Sequence, residues 1–175
     1  MKKNLSTYVV VACFLALGNI NAQQGVLDIT FNTFDDGLQG DGFDGVVRAI
    51  VLQSDGDLIV GGDFLNFNGA STPYLCRLKP DGTADPSFSL GSGLNGKVYT
   101  SMLQPDGKII LAGSFTSFNG TAVGRLIRIN KSGTRDASFN TTSGVNTNIV
   151  YAAAQQTDGK VIIVGSFTKY NTLNV

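Results

Sequence analysis

The chain has 175 residues, of which 15% are charged and 42% hydrophobic, and its formal net charge is +0. It contains no histidine, glutamate or tryptophan, so all 13 acidic residues are aspartates. This inventory excludes a Ser-His-Asp triad, a histidine metal site and a glutamate-based acid–base pair. Glycine, with 22 residues, exceeds its ordinary share of about 7% and favours a chain rich in turns rather than helices.

Residues 1–22 are predicted to be a secretory signal peptide, which places the protein outside the cell or at the cell surface. Two lysines open the segment, residues 9–17 are apolar, and the small residue Ala22 precedes the expected cleavage site. A lipoprotein signal at Cys13 is the alternative, but the apolar run continues past Cys13. The run is shorter than the roughly 20 residues of a membrane span, so no span is expected.

Cleavage after Ala22 removes two of the 13 cationic residues and leaves 13 − 2 = 11 against 13 aspartates. Because no basic patch remains, neither nucleic acid nor an anionic membrane is expected as a partner. One cysteine, Cys76, is left, so a disulfide framework within the mature chain is excluded.

Residues 23–45 are expected to form an opening strand and a Gly- and Asp-rich loop. The loop reads D-D-G-L-Q-G-D-G-F-D-G from Asp35 to Gly45. Clustered oxygen ligands suit calcium, although the loop lacks the EF-hand pattern and its glutamate. The weak calcium candidates are Asp35, Asp36, Asp41 and Asp44, and a solvated loop without metal is the alternative. No other metal or cofactor is expected.

The rest of the chain is one unit repeated at intervals of 51 and 52 residues. Gln104 opens the stretch Q-P-D-G-K-I-I-L-A-G-S-F-T-S-F-N, and similar stretches start at Gln53 and Gln156. A fixed period of this length is typical of stacked repeats and propeller blades. The predicted units are residues 46–97 (unit one), 98–148 (unit two) and 149–175 (unit three).

Each unit is predicted to begin with a hairpin of two antiparallel strands. The predicted strands are residues 47–53, 58–62, 98–104, 109–113, 150–156 and 161–165. Asp-Gly pairs join them and predict type I′ turns, in which both residues need positive φ. Third strands are predicted over residues 74–79 and 126–130, and the motif D-x-[ST]-F supplies a weak fourth segment at residues 85–88 and 136–139.

This pattern predicts an all-β fold, a partial β-propeller of about three antiparallel blades whose last blade is incomplete. The strings L-Q-x-D-G-K-[IV]-[IL]-[ILV]-x-G-x-F-[TS]-x-[FY]-N-G and R-[LI]-x-x-[DS]-G-T-x-D-x-[ST]-F resemble the delta-60 repeats of bacterial secreted proteins. That resemblance covers about residues 27–171 and implies a β-propeller without an assigned biochemical function. A closed propeller has about four to eight blades, so the chain is expected to be a fragment of a longer protein.

The repeats also predict the core. The return strands are almost continuously apolar, so both of their faces should be covered, and one end of the stack should expose such a face. The phenylalanines that recur in register are expected to be buried: Phe31, Phe64, Phe88, Phe115, Phe139 and Phe167. Cys76 aligns with Ile127, which predicts a buried, inert thiol.

Three residues occupy equivalent places in the first strands: Arg48, Tyr99 and Tyr151. Because the first strand of a blade lines a propeller channel, they are candidate ligand contacts, with packing between blades as the alternative. The resulting hypothesis is a secreted, non-catalytic scaffold that binds an extracellular protein or glycan. The alternative is a propeller enzyme acting on extracellular polysaccharide, with catalytic residues in further blades.

Overall fold

A computed structural model of the chain describes residues 31, 42–139, 141, 144–145, 148–171 and 173–174. All regular secondary structure in these residues is β, and they include no helix long and apolar enough to cross a membrane. The predicted signal peptide and three calcium candidates, Asp35, Asp36 and Asp41, lie outside the described residues.

Fourteen strands are found in the described residues: eight correspond to predicted strands, and six strands of two residues each were not predicted. In chain order they are β1 (Val47–Leu52), β2 (Leu58–Gly62), β3 (Asn66–Phe67), β4 (Ala70–Ser71), β5 (Leu75–Leu78), β6 (Val98–Leu103), β7 (Ile109–Gly113), β8 (Ser117–Phe118), β9 (Thr121–Ala122), β10 (Leu126–Ile129), β11 (Val150–Gln155), β12 (Val161–Gly165), β13 (Lys169–Tyr170) and β14 (Leu173–Asn174).

The larger strands form three antiparallel sheets, one for each unit, with the orders β1-β2-β5, β6-β7-β10 and β11-β12. The first strands lie side by side, with β6 between β1 and β11. The sheets therefore stack face to face like neighbouring propeller blades. The three predicted hairpins and the all-β fold are confirmed, with strand ends that agree to within one residue.

The Asp-Gly turns differ in type from the prediction. Positive φ is confined to the glycine of each pair, for example 91° at Gly56. The N–H of Gly56 donates to the carbonyl of Gln53, and the N–H of Gln53 donates to the carbonyl of Asp57. Such a loop is a type I turn followed by a left-handed glycine, not a type I′ turn. The aspartate stands at the third position of the type I turn, where φ is negative, and its carboxylate accepts the N–H two residues later, as between Asp106 and Lys108.

The predicted fourth segment is not a strand. Ala84 makes one antiparallel bridge to Leu78, and Arg135 makes the equivalent bridge to Ile129. The chain then turns, because the N–H of Phe88 donates to the carbonyl of Asp85. Units one and two are therefore three-stranded sheets with a turn beside the outer strand.

Each interface between neighbouring sheets holds its own apolar cluster. Ile59 of unit one packs with Leu111, Phe115 and other side chains of unit two. Ile110, on the opposite face of unit two, packs with Val150 and the half-buried Ile163 of unit three. Alternate residues of β2 and of β7 thus serve two different clusters, as expected for strands covered on both faces. In β12 only Val161 and Ile163 pack in a cluster, and Ile162 and Val164 are exposed.

The phenylalanine prediction is confirmed for Phe64, Phe88 and Phe115, which are buried. It is wrong for Phe31, Phe139 and Phe167, which are only half-buried. Phe139 and Phe167 pack in the cluster that borders unit three, and Phe31 packs on the outward face of unit one. These three side chains lie at the two ends of the stack, where fewer neighbours cover them.

Candidate functional site

A β-bulge recurs at the same place in all three first strands. In β1 the pairing advances by two residues, from Val47 to Ala49, while β2 advances by one, from Gly62 to Gly61. Arg48 is therefore the extra residue of the bulge. The same shift makes Tyr99 the extra residue in β6 and Tyr151 in β11. A bulge re-aims the side chain of its extra residue away from the regular faces of the sheet.

The three bulge residues form one continuous row, which we call the inner row. The guanidinium of Arg48 lies 4.7 Å from the centroid of the Tyr99 ring. The rings of Tyr99 and Tyr151 meet edge to face, with their centroids 5.8 Å apart. The Arg48 side chain is 34% exposed and Tyr151 is 50% exposed, so solvent reaches both ends of the row. The structure thus brings together the three residues that the sequence singled out.

A glycine in each return strand makes room for the bulge. A Cβ at Gly113 would lie 2.0 Å from the carbonyl oxygen of Lys97, and a Cβ at Gly165 would lie 2.0 Å from that of Ile149. The same carbonyls accept the N–H groups of Ser114 and Ser166, each at 3.0 Å. Any side chain at these glycines would push the two strands apart. The repeated glycine is therefore part of what positions the inner row.

Unit one adds a charged group to the inner row. Asp63 accepts two hydrogen bonds from Arg48, at 2.5 Å from Nε and 2.8 Å from Nη2, and a third from Lys97 Nζ at 3.0 Å. The hydrogen bond from Arg48 is the main cause that lowers the pKa of Asp63 to about 2. Serines, Ser114 and Ser166, stand at the equivalent places in the other units. A carboxylate hydrogen-bonded to the inner row is therefore specific to unit one.

We expect the Asp63 pair to weaken only in strong acid. A carboxylate with a lowered pKa in the folded state stabilises the fold above its unfolded pKa of about 3.9, and this contribution is lost as the pH falls towards about 2. An NMR titration of the Asp63 carboxyl carbon should show this pKa. In Arg48→Ala it should rise towards the ordinary value, and it should rise less in Lys97→Ala. An unchanged Asp63 pKa in Arg48→Ala would contradict this assignment.

Of the calcium candidates, Asp44 is described, and it holds the protein backbone. One of its carboxylate oxygens accepts the N–H groups of Leu65 and Asn66 at 2.8 and 2.9 Å, and the other accepts the Asn66 amide. These hydrogen bonds, led by that from the Asn66 N–H, lower the Asp44 pKa. Asn95 does the same for unit two through its amide oxygen. Asp44 thus has a structural role in the repeat, and the described residues contain no group of three metal-binding side chains.

The aspartate of D-x-[ST]-F has a partner that sequence reasoning missed. Its predicted hydrogen bond to the backbone is present, since Asp85 accepts the N–H of Ser87 at 2.9 Å. The same carboxylate also pairs with Arg77 of the third strand, at 2.6 Å from Nη2. The Arg77 guanidinium stacks on Phe88 at 4.9 Å and donates to Ser87 Oγ. Arg128, Asp136, Ser138 and Phe139 repeat this arrangement in unit two.

The sequence contains a signal for this network, since an arginine stands eight residues before the aspartate in both units. Arg77 and Asp85, like Arg128 and Asp136, are separated by eight residues in the repeated string. These polar groups hold the end of the unit against its third strand, and Arg77 also donates to the carbonyl of Lys131 in unit two. The motif therefore stabilises the blade and its contact with the next unit.

Cys76 lies in the core as predicted. It is buried in β5, opposite Val60, while Ile127 is buried at the equivalent place in β10. Burial raises the pKa of the Cys76 thiol to about 12. A thiol in this state is not a nucleophile near neutral pH.

Three segments of the chain match a family model described as Domain of unknown function (DUF5122) beta-propeller: residues 53–88, 104–139 and 156–175. Each match begins at the glutamine that follows a first strand, and the first two end at the phenylalanine of D-x-[ST]-F. No curated protein matches the chain. The matched segments make up more than half of the sequence and fall on the stacked hairpins. The chain therefore belongs to the DUF5122 β-propeller family.

Proposed function

We propose that the protein is a secreted or surface-associated bacterial β-propeller module, non-catalytic, which binds an extracellular glycan through the inner row. The observation that carries this proposal is the row of Arg48, Tyr99 and Tyr151, which three bulges in register hold in contact on an edge open to solvent. An exposed tyrosine offers an apolar ring face beside a polar hydroxyl, and a guanidinium adds directional donors. A sugar, with C–H faces and hydroxyl edges, fits this combination.

Tyr151→Ala should weaken glycan binding at least about tenfold, or about 1.4 kcal/mol, because it removes the exposed ring at one end of the row. Binding is measured to immobilised cellulose, xylan, chitin and alginate. The matched control is Leu65→Ala, since Leu65 is 49% exposed and lies outside the row. Equal binding by Tyr151→Ala and the parent protein would contradict the role of the row. If the parent protein binds none of the four polysaccharides, the glycan proposal is contradicted and a protein ligand is favoured.

Secretion is supported by the layout of residues 1–22, with two lysines, an apolar run and a small residue before the expected cleavage site. Expression of the full chain in a bacterium should deliver a product that begins at Gln23 to the periplasm or the medium, as read by mass spectrometry of its N-terminus. A lipid attached to Cys13 would support the lipoprotein alternative instead. A product that keeps residues 1–22 would contradict secretion by this signal.

The non-catalytic part of the proposal is supported by the absence of histidine and glutamate from the sequence. The alternative, a propeller enzyme acting on polysaccharide with catalytic residues in further blades, predicts new reducing ends when the same four polysaccharides are incubated with a chain that carries those blades. We further infer that the units are delta-60 repeats. The motif string shared by the units supports this finer identification.

A further inference from the structure

Three departures from the repeat meet at one end of the inner row. Arg48 stands where units two and three have a tyrosine, and Asp63 stands where they have a serine. Lys97 precedes β6, whereas the residues that precede β1 and β11 are the apolar Val46 and Ile149. We call Arg48, Asp63 and Lys97 the charged cluster. Since β11 and β12 form the same bulged hairpin without any of these charges, the hairpin itself does not require the cluster.

The charged cluster presents its cations to solvent and keeps its carboxylate underneath. The Asp63 side chain is 15% exposed, whereas those of Arg48 and Lys97 are 34% and 47% exposed. Asp63 stays ionised at neutral pH because its pKa is lowered to about 2. The cluster therefore carries one net positive charge, and an anion that approaches from solvent meets the two cations before it meets the carboxylate.

Both cations have hydrogen-bond donors left for a ligand. Arg48 uses Nε and Nη2 on Asp63, and among the described residues none accepts a hydrogen bond from its Nη1. The ammonium of Lys97 has three N–H groups, of which Asp63 accepts one at 3.0 Å. The pair with Asp63 and the stacking on Tyr99 hold the guanidinium in place, so little side-chain freedom is lost when a ligand binds it.

We propose that the charged cluster makes the inner row select acidic glycans, whose sugars carry carboxylate or sulfate groups, over neutral ones. The inference rests on the proposed function, since it assigns the charge of the glycan that the row binds. The acidic group accepts hydrogen bonds from Arg48 Nη1 and Lys97 Nζ, while a sugar ring lies against the tyrosines of the row. Arg48 and Lys97 are far apart in the sequence, so the low net charge of the chain does not reveal this local excess of positive charge.

An ion pair that only joins two neighbouring units is the alternative role of the cluster. Exposed ion pairs contribute little to stability, and Lys97 is the most exposed of the three side chains. A purely structural role predicts that the charge of the glycan makes no difference to binding. The preference for acidic over neutral ligands therefore separates the two roles.

The test uses pairs of polysaccharides that differ in charge. Alginate is compared with its neutral propylene glycol ester, and dextran sulfate with dextran, by titration calorimetry of the parent protein at low ionic strength. We expect at least one acidic polymer to bind about fivefold tighter than its neutral partner, and the pair that shows this preference identifies the acidic group as carboxylate or sulfate. The preference should shrink in about 0.5 M salt, because salt screens exposed charges.

Lys97→Gln should weaken binding of the preferred acidic polymer by about fivefold and leave binding of its neutral partner within about twofold. The matched control is Lys160→Gln, which removes the same charge from the chain. The Lys160 side chain is 76% exposed and lies in the hairpin turn, at the opposite end of the strands from the inner row. Lys160→Gln should change neither affinity, and thermal unfolding verifies that both variants fold.

Equal binding of the acidic and the neutral member in both pairs would overturn the inference and leave the glycan proposal standing. Equal losses in Lys97→Gln and Lys160→Gln would assign the preference to the overall charge of the chain and would also overturn it. A Lys97→Gln variant that melts lower but keeps the full preference would show that the cluster is only structural. Binding of no polysaccharide at all would contradict the proposed function itself, and this inference with it.

Discussion

Replacing Phe115 with alanine should lower the free energy of unfolding by about 3–5 kcal/mol. Phe115 is fully buried between units one and two, in the cluster that contains Ile59 and Leu111. The change removes a large apolar side chain and leaves a cavity in a close-packed interface. The loss is measured by urea denaturation of the full chain, where the midpoint should fall without a large change in slope.

Phe167 offers a matched control for Phe115, because it occupies the same place in unit three and is only half-buried. Phe167→Ala should lower the free energy of unfolding by roughly half as much as Phe115→Ala, or less, since less apolar area returns to water. Equal costs for the two substitutions would contradict the conclusion that unit three lacks a covering neighbour. An unchanged midpoint in Phe115→Ala would show that Phe115 is not part of the core.

Replacing Asp85 with alanine should lower the free energy of unfolding by about 3 kcal/mol, the lower end of the range for breaking a buried ion pair. The Arg77 and Asp85 side chains are 8% and 9% exposed, so the change leaves the guanidinium buried without its nearest carboxylate. Two further partners of the Arg77 guanidinium reduce the loss of stability. They are the Asp57 carboxylate, 3.5 Å from Nε, and the carbonyl of Lys131. Urea denaturation of the full chain measures the difference.

The Asp85→Asn variant distinguishes the contribution of the ion pair from that of the turn. The asparagine oxygen can still accept the Ser87 N–H, which Asp85 accepts at 2.9 Å, but the negative charge is gone. We expect Asp85→Asn to lose most of the stability that Asp85→Ala loses. If the asparagine variant is as stable as the parent protein, the aspartate serves only the turn and the pair with Arg77 contributes nothing.

The candidate site could be predicted only in part. Alignment of the repeats places Arg48, Tyr99 and Tyr151 at one position, which suffices to propose that they form a row. It does not show that they touch, because contact depends on the spacing of the sheets and on the bulge between Val47 and Ala49. The pairing of Arg48 with Asp63 joins β1 to the residue that follows β2, and a local sequence pattern does not predict a contact between residues 15 positions apart. Sequence reasoning singled out Asp44 for its charge, whereas its place next to the backbone of Leu65 and Asn66 explains its role.

The sequence by itself determined the number, order and limits of the hairpins, because turn glycines and apolar runs act on neighbouring residues and repeat with a constant period. It also predicted that the return strands are covered and that Phe64, Phe88 and Phe115 are buried. Only the tertiary structure decided which positions of the return strands are covered, because burial depends on a neighbouring sheet: Ile110 is covered by unit three, while Ile162 is exposed. It likewise decided that D-x-[ST]-F forms a turn tied to an arginine instead of a fourth strand, since that choice depends on side chains eight residues apart meeting across a blade.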